Sequence, residues 1–368
     1  MSNISFVGGA ETSIIEYCKN APRGMKIVIV QTDEPKGKNE HPEIYGYDNI
    51  SLYTIKGFNH KLAFLKKNKI TSALLQFIFL PLLFFVLKHT CYRSLWKRIG
   101  YPKYVYLFNN HCAQLFPKKV LIVGSTHVWG PVQGNKLGSI YTKLAQNRLI
   151  WRNVKRYHVF PNYRWFLKNL CVPGKAIANG VDITRSLEIE NIPKGQHVNF
   201  LYYGKLEPCK GVMKAIEAFK IVKEKYPNAE LHIAGTGSLS EKISKTNNIR
   251  FHGFLEQKEL LSLIRSCNCS VFPTTCDTFG LVVIESIFNG LFVILSDYLK
   301  DVFEEFEKMG ALITSPNEVE AIAKRMEAYI ENGGMTMQTM KEAQKLIMDT
   351  YSWEANSREL YNWITSED

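Results

Sequence analysis

The sequence predicts an α/β chain built as two doubly wound domains, and three observations carry that expectation. Its 368 residues suffice for two domains that each bury a core. Through the second half, short apolar runs alternate with stretches of helical period, the signature of a parallel sheet covered on both faces. Glycine-bearing turns follow several of those runs, at the strand ends where open α/β sheets hold their ligands. With 46% hydrophobic and 22% charged residues, the chain falls outside the collagen-like, disordered and disulfide-scaffold classes.

The first half shows the alternation faintly. MKIVIVQT (25–32), YVYLFN (104–109) and KKVLIVGST (118–126) read as strands, rich in β-branched and aromatic residues. Between the first two lies ITSALLQFIFLPLLFFVL (70–87), 18 residues without a charge. It reaches the lower limit of a membrane span, but Pro81 interrupts it. Two readings stay open: a helix lying among lipid headgroups, or a core helix kinked at Pro81. Lys61, Lys66, Lys67 and Lys69 precede the segment, and Lys88, Arg93, Lys97 and Arg98 follow it. Trp96 stands among them as an interfacial aromatic, and the cations make this the expected acceptor or membrane face.

The second half is clearer. VNFLYYG (198–204) reads as a strand, VMKAIEAFKIVKEKY (212–226) as an amphipathic helix and AELHIAG (229–235) as the next strand. A helix near 239–246, the strand IRFHG (249–253), the helix QKELLSLIRSC (257–267) and the strand CSVFP (269–273) follow. GLVVIESIFNG (280–290) reads as a helix, and LFVILS (291–296) closes the series as a strand. The strands are apolar on both faces, as double-sided burial requires. The expected domains are 1–176 and 177–350, joined near ANGVD (178–182) and facing across a cleft, with 351–368 a final helix returning to the first domain.

Charge divides the chain unequally. Residues 1–176 hold 26 Lys/Arg against 7 Asp/Glu, and residues 177–368 hold 20 against 27. From Asp48 to Asp182 no acidic residue intervenes. The first half should attract anions: a bilayer surface, a phosphorylated lipid or nucleic acid. Eight cysteines are scattered without a CxxC pair, which suggests reduced thiols in a cytoplasm and no zinc site. The opening MSNISFVGGAET lacks the build of a signal peptide, so the expectation is a cytoplasmic protein, peripheral on a membrane's cytoplasmic face.

The densest chemical signal is GKLEPCKG (204–211), between a strand and a helix. Gly204 lets the backbone turn, and Lys205 and Lys210 stand near a helix start that favours an anion such as a diphosphate. IAGTGS (233–238) repeats the arrangement, with Gly235 and Gly237 admitting a nucleotide close to the backbone. FHGF (251–254) ends another strand, where Phe254 can meet a base. In DTFGLVVIE (277–285), Phe279, Gly280 and Leu281 lead into a helix whose amides suit a phosphate, bracketed by Asp277 and Glu285, acids suited to hydroxyl-rich ligands.

The run from NGVD through GKLEPCKG, IAGTGS, FHGF and DTFGLVVIE resembles the nucleotide-binding half of retaining GT-B glycosyltransferases, family 4 in particular. The resemblance implies two Rossmann-like domains across a cleft. It implies that Lys205 and Lys210 hold a donor diphosphate, that Glu285 holds the ribose and that Asp277 meets the transferred sugar. FVGGAETSIIEY (6–17) resembles the family's glycine loop, with Gly8 and Gly9 approaching phosphate or acceptor and Glu11 beginning the next helix. STHVWG (125–130) resembles its histidine position, which makes His127 the candidate for orienting the sugar, ahead of His111. Three departures stand out: Asp277 where the family usually has Glu, Lys205 where it often has Arg, and little chain ahead of Gly8 for a first strand.

The implied activity is transfer of a sugar from a nucleoside diphosphate, UDP or GDP, with its anomeric configuration retained (EC 2.4). No acidic pair of DxD type stands at a strand end, so no metal or other cofactor is called for. The charge and the apolar segment point to an acceptor glycan or lipid-linked sugar presented at an anionic membrane. Nucleic acid as acceptor, nucleotide-sugar binding without turnover, and epimerisation are the other readings.

Overall fold

A computed structural model describes residues 9–32, 47–55, 93–107, 120–125, 154–162, 167, 172–183 and 197–366. The chain divides into two compact units, one of Met1–Ala178 with Trp353–Asp368, the other of Asn179–Ser352. Each is an α/β unit with parallel strands, a two-domain Rossmann-like architecture.

The first unit opens with helix α1 (Gly9–Lys19) and strand β1 (Ile27–Thr32), which pairs in parallel with β2 (Ile50–Ile55). Helix α2 (Arg93–Ile99) precedes β3 (Tyr104–Tyr106), β4 (Leu121–Ser125), β5 (Val154–Val159) and β6 (Gly174–Ala176), a parallel sheet in sequence order. The sequence pattern had not distinguished β2, β5 or β6. In VKRYHV, Lys155, Arg156 and His158 give the run the polarity of a loop, yet all of it but Lys155 is buried.

The second unit carries one six-stranded parallel sheet. In chain order come β7 (Asn199–Tyr203), a 3-10 turn (Pro208–Lys210), α3 (Val212–Lys225), β8 (Glu230–Ala234), α4 (Ser240–Ser244) and β9 (Arg250–Gly253). Then follow α5 (Gln257–Ser266), β10 (Cys269–Phe272), α6 (Leu281–Phe288), β11 (Phe292–Ser296) and α7 (Lys300–Met309). The unit is completed by β12 (Leu312–Ser315), α8 (Val319–Asn332) and α9 (Met337–Tyr351). The series therefore does not close at β11. LITS, with two hydroxyl residues in four, pairs in parallel with β11 as the edge strand. Across the sheet the strands lie β12–β11–β10–β7–β8–β9. Phe200, Leu231, Val271 and Val293 on its inner strands are wholly buried, the edge strand β9 is largely exposed, and α3 lays Ala215, Ile216 and Phe219 into the core.

Helix α10 (Trp353–Thr365) belongs to the first unit. Trp353, Leu360 and Ile364 share a core cluster with Tyr17, Val123 and Ile177. Tyr361 donates its hydroxyl to Tyr17 O at 2.8 Å.

Candidate functional site

From β7 the second unit's chain runs outward through β8 to β9, then crosses to β10 on the other side of β7 and continues to β12. Strand order thus reverses between β7 and β10, and an open parallel sheet binds ligands outside the carboxyl ends at such a point. The loops leaving these two strands, 204–211 and 273–280, meet there. Thr275 donates its amide (2.8 Å) and its hydroxyl (3.0 Å) to Cys209 O. Gly211 has φ +79°, and a Cβ on it would lie 1.9 Å from Pro273 O, so only glycine lets α3 start this close to the second loop.

Lys210 Nζ reaches across the junction, donating to Cys276 O at 2.8 Å and to Asp277 Oδ2 at 2.7 Å. The other carboxylate oxygen of Asp277 accepts from the amides of Phe279 (3.2 Å) and Gly280 (3.0 Å), just ahead of α6. An ammonium and two amides at a helix start therefore converge on one anion, and the anion they hold is the chain's own. Tyr202, beneath the loop, donates to Lys205 O (3.1 Å) or Lys210 O (3.3 Å). Burial, then the nearby Asp277 charge, pushes its phenol above the ordinary range.

The loop after β8 closes onto the loop after β7. Leu206 N donates to Thr236 O (2.9 Å), and Leu239 N to Leu206 O (3.0 Å). Gly235 has φ +134°, and its Cβ would fall 1.8 Å from Gly204 O, so any side chain there would drive the loops apart. Glu207 accepts from Ser238 N (3.0 Å) and Ser238 Oγ (2.5 Å). These bonds first, and Lys205 last, hold its carboxyl below the usual carboxylate range.

Gly204, Lys205, Lys210, Gly235, Asp277, Phe279, Gly280, Leu281 and Glu285 are thus placed along the carboxyl edge of one sheet. Lys205 is exposed, whereas Lys210, Asp277, Leu281 and Glu285 are half-buried. Phe279 offers only backbone, because its ring is buried against Phe303 and Tyr351. Glu285 lies close enough to Tyr203 to help burial raise that phenol, and Tyr203 donates to Val282 O at 2.9 Å. Phe254 stands beyond β9 with 58% of its surface exposed, joined to the neighbouring loop through Gly235 N and Gly253 O (2.7 Å).

In the other unit, Gly9 begins α1. Arg93, Lys97 and Arg98 are exposed on α2, but Trp96 is buried, so it does not serve as an interfacial aromatic. Its indole packs against the exposed ring of Tyr101, with centroids 6.1 Å apart. Gly8, His111, His127, Lys66, Lys67, Lys69 and the segment 70–87 lie outside the described residues. Among the described residues no helix is long and apolar enough to cross a membrane, and no His/Cys/Asp/Glu group could hold a metal.

A further expectation is overturned. Cys209 and Cys276, read as reduced thiols, form a disulfide with Cα atoms 5.6 Å apart. No short cysteine spacing marks the pair, because the two stand 67 residues apart and meet through the pairing of β7 with β10. The Glu207–Ser238 latch was missed for the same reason, although each lies in a glycine-bearing motif.

Residues 182–346 match the family described as "Glycosyl transferases group 1". An uncharacterized glycosyltransferase of Bacillus subtilis, YqgM, is 34% identical over 113 residues, 28% of this chain and 32% of that protein. A phosphatidyl-myo-inositol mannosyltransferase of Mycobacterium tuberculosis is 26% identical over 182 residues, 46% of this chain and 48% of that one. The chain thus spans a third to a half of the length of these relatives. The crystal structure of HepE from Anabaena in complex with UDP and glucose superposes with a TM-score of 0.67 at 17% identity, covering 99% of this chain and 97% of that one. The chain accordingly has the two-domain α/β fold of GT-B glycosyltransferases, and its second unit matches the group 1 glycosyl transferases over 182–346.

Proposed function

We propose that the protein is a retaining, metal-independent glycosyltransferase that moves a sugar from a UDP- or GDP-linked donor to a lipid-linked or membrane-presented acceptor. One observation carries the reading: at the point where strand order reverses, Lys210 and the amides of Phe279 and Gly280 already bind an anion. A donor diphosphate offers the same chemistry with more charge, and Lys205 stands beside it with its ammonium exposed. The group 1 match supports transfer. The UDP bound to HepE supports the nucleotide, and the name of the mycobacterial mannosyltransferase supports a lipid acceptor.

In this reading Glu285 accepts from the ribose hydroxyls, Phe254 faces the base, and Asp277 and His127 orient the sugar. Gly9, at the start of α1, is the first unit's candidate for approaching phosphate or acceptor. The bond from the sugar's C1 to the diphosphate oxygen breaks as the acceptor oxygen bonds C1 on the same face. The acceptor's proton passes to the departing phosphate oxygen, so no protein base is needed. Negative charge grows on the leaving group, which Lys205, Lys210 and the α6 amides stabilise. The chain works at the cytoplasmic face of a membrane, held by its basic half. Binding without turnover is the second reading, favoured by the hold of Asp277 on the lysine and amides a donor would use.

The test is a thermal-shift screen of the full chain against UDP-, GDP- and ADP-sugars, followed by assay of nucleoside diphosphate release. One nucleotide class should raise the melting temperature. Lys210→Ala should lower donor affinity and transfer on the order of 10- to 100-fold, the scale of one lost charge-assisted hydrogen bond. Unchanged turnover in that variant would remove the phosphate assignment. Stabilisation without release, whatever acceptor is supplied, would select the second reading.

A further inference from the structure

The disulfide bridges the two loops that carry the proposed diphosphate ligands. Cys209 immediately precedes Lys210 and Cys276 immediately precedes Asp277, so each sulfur sits one residue from a partner of the Lys210–Asp277 ion pair. The bond crosses the reversal point itself, from the β7 loop to the β10 loop. Cys209 is exposed and Cys276 half-buried, so a small thiol can reach the bond from solvent. The free cysteines among the described residues are different. Cys18, Cys267 and Cys269 are buried, and burial raises their thiols, leaving them unreactive.

Without the bond the loops remain in contact through Thr275 and Lys210, by hydrogen bonds and one half-exposed ion pair. Those links exchange with water, and donor binding would then bear the cost of ordering both loops. With the bond intact, that ordering precedes the donor.

Resting on the donor reading above, we propose that Cys209–Cys276 is a reversible dithiol–disulfide switch on the diphosphate site, the oxidised form binding nucleoside diphosphate more tightly than the reduced form. In the reducing direction a thiolate of a small dithiol attacks Sγ of Cys209, the more exposed residue of the pair, and the Cys276 thiolate leaves. The second thiol of the reagent then closes on the mixed disulfide, releasing Cys209. The dithiol gives up two electrons and becomes a cyclic disulfide, while its two protons end on the cysteines. Oxidation runs the exchange backward with a small-molecule disulfide as acceptor.

The experiment titrates UDP and GDP into the full chain by calorimetry, once after oxidised glutathione and once after dithiothreitol. Alkylation and mass spectrometry report the state of the pair. Reduction should weaken binding of the preferred nucleotide roughly three- to tenfold. Cys209→Ser and Cys276→Ser, each confirmed folded by its melting transition, should sit at the reduced value in both conditions. Equal affinity with the pair demonstrably open and closed overturns the switch and leaves the donor site standing. A pair that never forms or never opens overturns it as well. If neither nucleotide binds in either state, both the switch and the donor reading fall.

Discussion

In the first unit, His158 on β5 is completely buried and bonded at both nitrogens. Ile177 O can only accept, so Nε2 carries the hydrogen of the 2.8 Å bond, and Nδ1 accepts from the Tyr106 hydroxyl. Burial lowers the imidazole from 6.5 to about 4. In the folded unit the ring stays neutral below pH 6.5, while the unfolded chain takes up the proton. Stability is therefore full above about pH 6.5 and is lost as pH falls toward 4, by roughly 2 kcal/mol at pH 5. Urea midpoints at pH 7 and pH 5 should separate more for the natural chain than for His158→Gln, and parallel shifts would refute the assignment. Single residues were legible in the sequence where one backbone constraint speaks alone, as with Gly204, whose φ of +126° lets the backbone turn after β7. They were illegible where a partner comes from elsewhere: nothing adjacent to Asp277 tells that Lys210, 67 residues away, would take one of its carboxylate oxygens.

Among elements, β5 and α10 explain each other. Arg156 is a charged residue in mid-strand, yet only 5% of its surface is exposed. It donates to Trp363 O, to Ser366 Oγ at 3.0 Å and to Ser366 O at 2.8 Å, closing the carboxyl end of α10 against the sheet. A strand pattern that depends on a helix two hundred residues away is invisible to local periodicity. The strands β7, β8, β10 and β11 were readable because each is a short, mostly apolar run, and the edge strand β12 escaped because its hydroxyls break that pattern. Arg156→Ala should destabilise the first unit by about 2–3 kcal/mol and expose α10 to limited proteolysis, with partial rescue by Lys. Cleavage no faster than in the natural chain would show that the core cluster alone holds the helix.

For the whole molecule, charge was the most legible property and supports one more expectation. The first 176 residues carry the excess of cations, and Arg93, Lys97 and Arg98 present theirs to solvent from α2. The full chain should float with vesicles rich in anionic phospholipid at low ionic strength and release as salt approaches about 0.5 M, where screening falls within a few ångströms. Arg93→Glu with Lys97→Glu and Arg98→Glu should weaken flotation. A chain that stays with the soluble fraction at low salt would count against a membrane-presented acceptor. The two-unit α/β plan was also readable, since repeating strand–helix alternation leaves few topologies.

The chain leaves the first unit after Ala178 and returns to it at Trp353. During synthesis, then, every residue of the second unit is made while the first still lacks Trp353, Leu360 and Ile364 from its core. The half made first is the half finished last, and a nascent chain stopped short of α10 would leave the first unit's hydrophobic seat open for chaperones to cover.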